Sequence, residues 1–213
     1  MKIRLKNIGK KIKHNIILKD INMELESGHI YGFVGTNGSG KTMLMRILTG
    51  LISFTEGEFY VDERSVQFGN EIYYDMGVII EKPEFFNELT GLENLEMLAK
   101  LKNIISREEM IDSLNKVGLD PYNPKKVKEY SLGMKQRLGI AQAIMENPDI
   151  LILDEVTNGL DEEGIAMVYK ILSQEKEKGK LIIISSHYKQ DIESLCDRIF
   201  LIKNQTAQEY GQS

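Results

Sequence analysis

The chain has 213 residues, a formal net charge of −5 and a pI of ≈ 5.4. Hydrophobic residues make up 42% and charged residues 28%, which is globular composition and excludes a disordered, collagen-like or disulfide-built chain. The acidic balance argues against a nucleic-acid binder that works through bulk positive charge.

Taken in chain order, residues 1–27 read as antiparallel strand material, with a turn at Ser27-Gly28. A short apolar run, Ile30-Tyr-Gly-Phe-Val34, ends at Gly35, and a helix is predicted from Ser39 to Thr49, stopping at Gly50. Residues 55–68 return to strand character around the turn signal Glu56-Gly57. A second run, Gly77-Val-Ile-Ile80, ends at Glu81. Thr90-Gly-Leu-Glu93 and Ser106-Arg-Glu-Glu109 are capping boxes. They lead into Leu95 and Leu98, and into Met110, Ile111, Leu114 and Val117 at helical spacing before Gly118. Between about 84 and 147 no buried strand is predicted, so this stretch reads as a helical insertion. Ile150-Leu-Ile-Leu153 precedes Asp154-Glu155, Asp161 caps a helix carrying Ile165, Val168 and Leu172, and Leu181-Ile-Ile-Ile184 ends at Ser185-Ser186-His187.

Short Ile- and Val-rich runs, apolar at every position, suit strands buried on both faces of a parallel sheet. Ligands of such sheets sit beyond the carboxyl ends of the strands, where the polar endings of these runs converge. No stretch approaches the about 18 apolar residues of a membrane span, and no signal-peptide core follows Met1. The single cysteine, Cys196, suits a reducing, cytosolic setting and reads as a buried small apolar residue of the last helix.

Gly35-Thr36-Asn37-Gly38-Ser39-Gly40-Lys41-Thr42 matches G-x-x-x-x-G-K-[ST] between a predicted strand and a predicted helix. Its glycines let backbone N–H groups wrap phosphate, Lys41 reaches the β and γ phosphates, and the Thr42 hydroxyl ligates Mg²⁺. Asp154, at the end of a buried strand, can hold Mg²⁺ through water, and Glu155 can polarise an attacking water. Ser131, in Tyr130-Ser-Leu-Gly-Met-Lys-Gln-Arg137, is placed to cap a helix; this is a plain capped helix or a second anion site.

With these motifs in this order, nearly the whole chain resembles the ATP-binding domain of an ABC transporter. Gly35–Thr42 corresponds to its Walker A loop, Glu81 to the Q-loop, Ser131-Leu-Gly-Met-Lys-Gln-Arg137 to a variant signature, Asp154 and Glu155 to Walker B, Asn158-Gly-Leu-Asp161 to the D-loop and His187 to the switch histidine. The resemblance implies an α/β fold. A P-loop NTPase (RecA-like) parallel-sheet core carries an N-terminal antiparallel β subdomain and an inserted helical subdomain. The single domain then comprises a core of 1–83 and 148–213, with about 84–147 as the helical part. It implies ATP and Mg²⁺ as cofactors, with Thr42, Glu81 and Asp154 around the metal and Glu155, His187, Lys41 and Glu81 in catalysis. The loop residues Gly35 to Thr42 and Ile12 would bind nucleotide. A nucleotide-binding threonine at position 43 has no equivalent in this chain, because the residue there is Met43. Ser131 and Gly133 would act on the ATP held by a second nucleotide-binding subunit, identical or different. A separate transmembrane permease would hold the chain at the cytoplasmic face of the membrane, and no nucleic-acid partner is implied. Glu81 replaces the usual glutamine, Val156 the usual proline, and Ile12 the adenine-stacking aromatic. Glu81 together with Ser-Leu-Gly-Met resembles the bacitracin-resistance and lantibiotic-immunity branch of exporters.

The rival readings lack their marks. A DNA-repair member would carry a long coiled coil between Lys41 and Asp154, a ribosome-acting member a second such domain, and a GTPase an N-K-x-D motif. A degenerate, non-hydrolysing module would not keep both Glu155 and His187. Lys10, Lys11 and Lys13, and Lys125, Lys126 and Lys128, read as solvated faces, and His14 and His29 as surface or strand residues. Phe85 and Phe86 fit either the core or a partner groove.

Overall fold

In the computed structural model, which describes residues 1–69, 74–186 and 189–210, side-chain alternation sorts the strands into two sheets. The first half of the chain forms β1 (Lys2–Ile12), β2 (Asn15–Glu26), β3 (Ile30–Val34), α1 (Lys41–Leu48), β4 (Glu56–Val61), β5 (Arg64–Ser65) and β6 (Met76–Ile79). There follow α2 (Gly91–Lys102), α3 (Arg107–Lys116), a 3-10 turn at Val127–Glu129, α4 (Leu132–Ile144), β7 (Ile150–Leu153), α5 (Glu162–Glu177), β8 (Leu181–Ser185), α6 (Lys189–Leu195), β9 (Arg198–Lys203) and β10 (Thr206–Tyr210).

One sheet is antiparallel, in the order β2-β1-β4-β5. Ile3, Leu5, Ile21, Met23 and Leu25 are buried on its inner face while Asp20, Asn22 and Glu24 stay exposed, the alternation of a sheet wetted on one side. The other sheet runs β10-β9-β3-β8-β7-β6, parallel from β9 through β6 with β10 as an antiparallel edge. Its central strands are apolar at every position because both faces are covered. Leu151, Leu153, Ile182 and Ile184 pack with Leu138, Val168 and Leu172 of the helices. Ile150, Ile152, Leu181 and Ile183 pack with α1 and the antiparallel sheet. Full burial of each such side chain is worth roughly 1.5–3 kcal/mol. The parallel order places the residues after β3, β6, β7 and β8 at one edge, as the polar endings of the apolar runs imply.

Helices α2, α3 and α4 lie between β6 and its parallel neighbour β7 in sequence. Both expected capping boxes form: Thr90 Oγ1 accepts from the Glu93 N–H and Ser106 Oγ from the Glu109 N–H, with each glutamate returning a bond to the cap N–H. Asn94, buried within α2, accepts from the Phe86 N–H at 2.8 Å and donates to the carbonyls of Phe86 and Thr90 at 3.2 and 2.8 Å. It thereby pins the segment before α2. Asn94→Ala strands these backbone groups and is expected to cost about 1–3 kcal/mol, read as a lower urea midpoint with an unchanged slope. Phe85 packs against the helical core, and Phe86 is exposed.

Two sequence expectations shift, and one hairpin appears where none was assigned. α1 starts at Lys41, not Ser39, because Gly40 is left-handed (φ 110) and cannot join a right-handed helix. Cys196 lies just past α6 and is only half-buried, its thiol pushed up to about 12 chiefly by burial. The β9–β10 hairpin fills 198–210, a stretch to which the sequence pattern assigns no element. Asn204 and Gln205 turn it with positive φ (50 and 69), and Arg198 joins Glu209 through two contacts of 2.6 and 2.7 Å. That guanidinium holds the Glu209 carboxyl below the usual carboxylate range.

Candidate active site

Between β3 and α1 the chain folds back on itself. The Ser39 N–H bonds the Thr36 carbonyl at 3.1 Å, and the Leu44 N–H opens α1 on the Gly40 carbonyl at 2.9 Å. A Cβ on Gly35 would lie 2.3 Å from the Ile202 carbonyl, and one on Gly40 would lie 2.7 Å from Leu18 Cδ2, so both positions require glycine. Thr36, Asn37 and Gly38 stand at the loop's tip, all three exposed. No side chain caps α1 and no acidic residue stands in its first turn, which leaves the positive helix terminus open to an anion. The Ser39 hydroxyl is buried with no hydrogen-bond partner among the described residues, an orphan that a phosphate oxygen would satisfy.

Lys41 is 6% exposed and donates to the carbonyls of Gly35 at 2.7 Å and Thr36 at 3.2 Å. Burial pulls its pKa below the ordinary lysine value, and the charges of Asp154 and Glu155 offset only part of that. A buried ammonium on weak neutral partners is poised to gain from an incoming anion.

An acidic pair at the end of β7 faces the loop, with Asp154 in contact with it. Thr42 Oγ1 donates to Asp154 Oδ2 at 2.9 Å, and Ser185 Oγ donates to the other carboxylate oxygen. Position 43 brings no second hydroxyl to this turn. It is not a threonine: Met43 is half-buried, and its apolar side chain packs against the core shared by α1 and the antiparallel sheet. Among these two neighbours, then, Thr42 alone carries an oxygen that a cation or phosphate could use. The register of β6 and β7 sets the position of Asp154, whose N–H bonds the Ile79 carbonyl at 2.7 Å. Glu155 follows with a left-handed backbone (φ 51), which costs a non-glycine residue roughly 1–2 kcal/mol. Its N–H bonds the Ser185 carbonyl at 3.1 Å, and Asn158 Nδ2 donates to its Oε2.

The remaining candidates lie apart. Glu81, also left-handed (φ 64), pairs with Arg46 of α1 at 2.8 Å and bonds neither Thr42 nor Asp154. Ser131 caps α4, accepting from the Met134 N–H at 3.2 Å. With Gly133 it lines a cavity of about 650 Å³ alongside Arg137, Gly159 and Asp161. Gly35–Ser39 line a different cavity of about 810 Å³, closed by Ser186, Ile192 and the β9–β10 turn. Within one chain, therefore, the α4 terminus and the glycine loop do not share a cavity. Ile12 ends β1 and is 44% exposed. His187 lies outside the described residues.

Ser185, Arg46 and the 202–205 turn contribute to this edge without being named by any motif, while Asn158 stands in the segment matched to the D-loop. Ser185 had a signal, since it ends a buried run beside the run ending in Asp154. Arg46 had none, because a surface arginine of a helix looks the same whether or not a carboxylate faces it.

The ABC transporter family profile matches residues 18–158. An uncharacterized ABC transporter ATP-binding protein of Bacillus subtilis, YybJ, is 49% identical over 92% of this chain and 89% of its own length. The lantibiotic transport ATP-binding protein SrtF of Streptococcus pyogenes is 38% identical over 94% of this chain and 86% of its own. The bacitracin transport ATP-binding protein BcrA of Enterococcus faecalis is 41% identical over 92% of this chain, which spans 65% of that protein. A solved dimeric bacterial ABC transporter cassette superposes with a TM-score of 0.86 at 26% identity, covering 97% of this chain and 96% of its own. A dimeric cassette in a post-hydrolysis state with ADP and Pi gives a TM-score of 0.85 at 25% identity, over 97% of each chain.

Proposed function

The chain belongs to the ABC transporter family as an ATP-binding, ATP-hydrolysing subunit, and from that premise we propose that it powers export of a peptide antibiotic of the bacitracin or lantibiotic kind. The observation that carries the site assignment is the Thr42–Asp154 contact of 2.9 Å at the mouth of the glycine loop. The likeness to SrtF and BcrA supports the substrate class.

In this reading the loop Gly35–Thr42 wraps the triphosphate, and Lys41 exchanges its two carbonyl partners for the β and γ phosphates. Ser39 gains the acceptor it lacks. The hydroxyl of Thr42 and the carboxylate of Asp154 are hard oxygen ligands, few in number, as suits Mg²⁺ shared with phosphates. When bound, that ion supplies charge neutralisation at the β and γ oxygens. Glu81 is a third ligand only if it leaves Arg46; the Arg46 and Glu81 side chains are 32% and 64% exposed, and such pairs are worth about 0–1 kcal/mol, so release is cheap. Glu155 orients and deprotonates the attacking water, held by Asn158, and His187 supports the γ-phosphate. Ser131 and Gly133 meet the nucleotide of a second copy or a related subunit, which fits their place in a separate cavity. A transmembrane permease completes the transporter, with this chain on its cytoplasmic face; no helix among the described residues is long and apolar enough to cross a membrane. Residues 84–147 are the subdomain that meets the permease, and 1–83 with 148–213 bind nucleotide.

The test is resistance. A sensitive host expressing this chain with its permease should tolerate more bacitracin or lantibiotic, and Glu155→Gln should abolish the gain. A gain that persists in that variant defeats the reading.

Base selection follows from Ile12. An aliphatic side chain offers contact but no π-face, and aromatic stacking on a base is worth roughly 1–3 kcal/mol. GTP is therefore expected to bind within about tenfold of ATP, a difference of roughly 1.4 kcal/mol, and Ile12→Tyr to tighten both. Competition titration decides it; a strong ATP preference in the native chain would place the base contact elsewhere.

A further inference from the structure

Helix α4 begins at Ser131, the cap assigned above to a partner's nucleotide, and touches the acidic end of β7 through one buried amide. Gln136 is 5% exposed. Its Nε2 donates to the Val156 carbonyl at 3.0 Å and lies 3.5 Å from the Glu155 carbonyl. Arg137, the next residue, bonds the Val117 carbonyl at 3.1 Å and reaches Asp161 Oδ1 at 3.4 Å. At the helix start the fit is close: a Cβ on Gly133 would stand 2.9 Å from the Gly159 carbonyl. Segment 155–161 is thus clamped to the first turns of α4.

Glu155 sits in a left-handed backbone conformation, and its peptide must be fixed from both sides to keep it there. Ser185 fixes the N–H side. On the carbonyl side the Asn158 N–H bonds the Glu155 carbonyl at 3.0 Å, and Gln136 Nε2 holds the next carbonyl, that of Val156, at 3.0 Å. We propose that Gln136 is a positioning residue for Glu155: its amide holds the Glu155–Val156 backbone so that the carboxylate points at the glycine loop, and it carries displacements of the α4 terminus to that carboxylate. The consequence is a direct path within one chain from the surface that meets the partner's nucleotide to the water-orienting group of its own site. This inference rests on Glu155 and Ser131 having the roles assigned under the proposed function.

Gln136→Met keeps the length and removes the donors. Turnover should fall at least about tenfold, since small misplacements of a catalytic group carry losses of that order, while the ATP dissociation constant stays within about twofold. The decisive readout is the double-mutant cycle. If Gln136 acts through Glu155, adding Gln136→Met to Glu155→Gln should lower the residual turnover less than about twofold. A merely structural role would multiply the two losses. Gln136→Glu is the second variant, in case the first does not fold. A carboxylate there faces carbonyls, whereas its protonated form donates again, so its turnover relative to the native chain should recover as pH falls. Native turnover in Gln136→Met, multiplying losses, or a Gln136→Glu deficit that ignores pH each overturns the inference. Should Glu155→Gln itself retain turnover, the site reading fails first, an outcome distinct from loss in Glu155→Gln with none in Gln136→Met.

Discussion

Lys41→Ala should lose ATP binding by about 10²- to 10⁴-fold while the nucleotide-free protein melts no earlier than the native chain. Two charge-assisted contacts of roughly 1.5–3 kcal/mol each disappear from the bound state, and each 1.4 kcal/mol is tenfold. The free state loses much less. The Lys41 ammonium is 6% exposed and rests on two carbonyls, and burial already depresses its pKa, so truncation also removes a desolvation cost. Water reaches the exposed tip of the loop and can replace the lost donor. Ligand-induced stabilisation separates the two effects: at about 100 times the dissociation constant, ATP should stabilise the native chain by about 2.7 kcal/mol and the variant scarcely at all. The depressed pKa has a second consequence. Phosphate favours the charged lysine, so binding takes up a proton once pH exceeds the free-state pKa, and ATP affinity falls with rising pH before an ordinary lysine would titrate. Unchanged affinity in Lys41→Ala, measured by calorimetry, removes the phosphate-loop assignment.

What could be read from the sequence and what could not divide along a physical line. Strands buried on both faces announce themselves because every position is apolar, and β3, β6, β7 and β8 lie where such runs predict, β6 displaced by one residue. Capping boxes are equally legible, since both partners are local: Thr90 with Glu93, Ser106 with Glu109. The β9–β10 hairpin was less so. Arg198-Ile-Phe-Leu-Ile-Lys203 mixes charge with apolar residues, and its turn is Asn-Gln, without the glycine that usually marks a two-residue hairpin. At the site, the residues with fixed spacing could be named in advance, whereas their supports could not. Ser185, Gln136 and Arg46 act through contacts between segments 20 to 35 residues apart, on side chains whose types are common everywhere. Sequence spacing carries no information about such pairs until the sheet order brings the segments together.

Glu155→Gln should bind ATP as the native chain does, turn over about 10²- to 10⁴-fold more slowly, and dimerise when Mg-ATP is added. The size of the loss is that of removing a general base from water attack. Binding survives because nothing in the phosphate loop is touched. Geometry survives as well: a glutamine carbonyl still accepts from Asn158 Nδ2, the backbone N–H still meets Ser185, and glutamine bears the left-handed φ of 51 no worse than glutamate. Dimerisation follows from mass action. If, as proposed, ATP touches Lys41 of one subunit and Ser131 of the other, it favours the paired state for as long as it remains intact. In the native chain hydrolysis ends that bridge, so the dimer is transient; in the variant the bridge persists and the paired state accumulates. The charge change acts in the same direction, since replacing a carboxylate beside a polyphosphate removes a repulsion in every bound site. Sizing chromatography of both proteins with and without Mg-ATP measures the outcome. The native chain should elute chiefly as monomer after turnover and the variant as dimer. A variant that binds ATP fully yet remains monomeric would mean that Ser131 and Gly133 do not reach a partner's nucleotide, and would leave Glu155 with a catalytic role in a site that one chain completes alone.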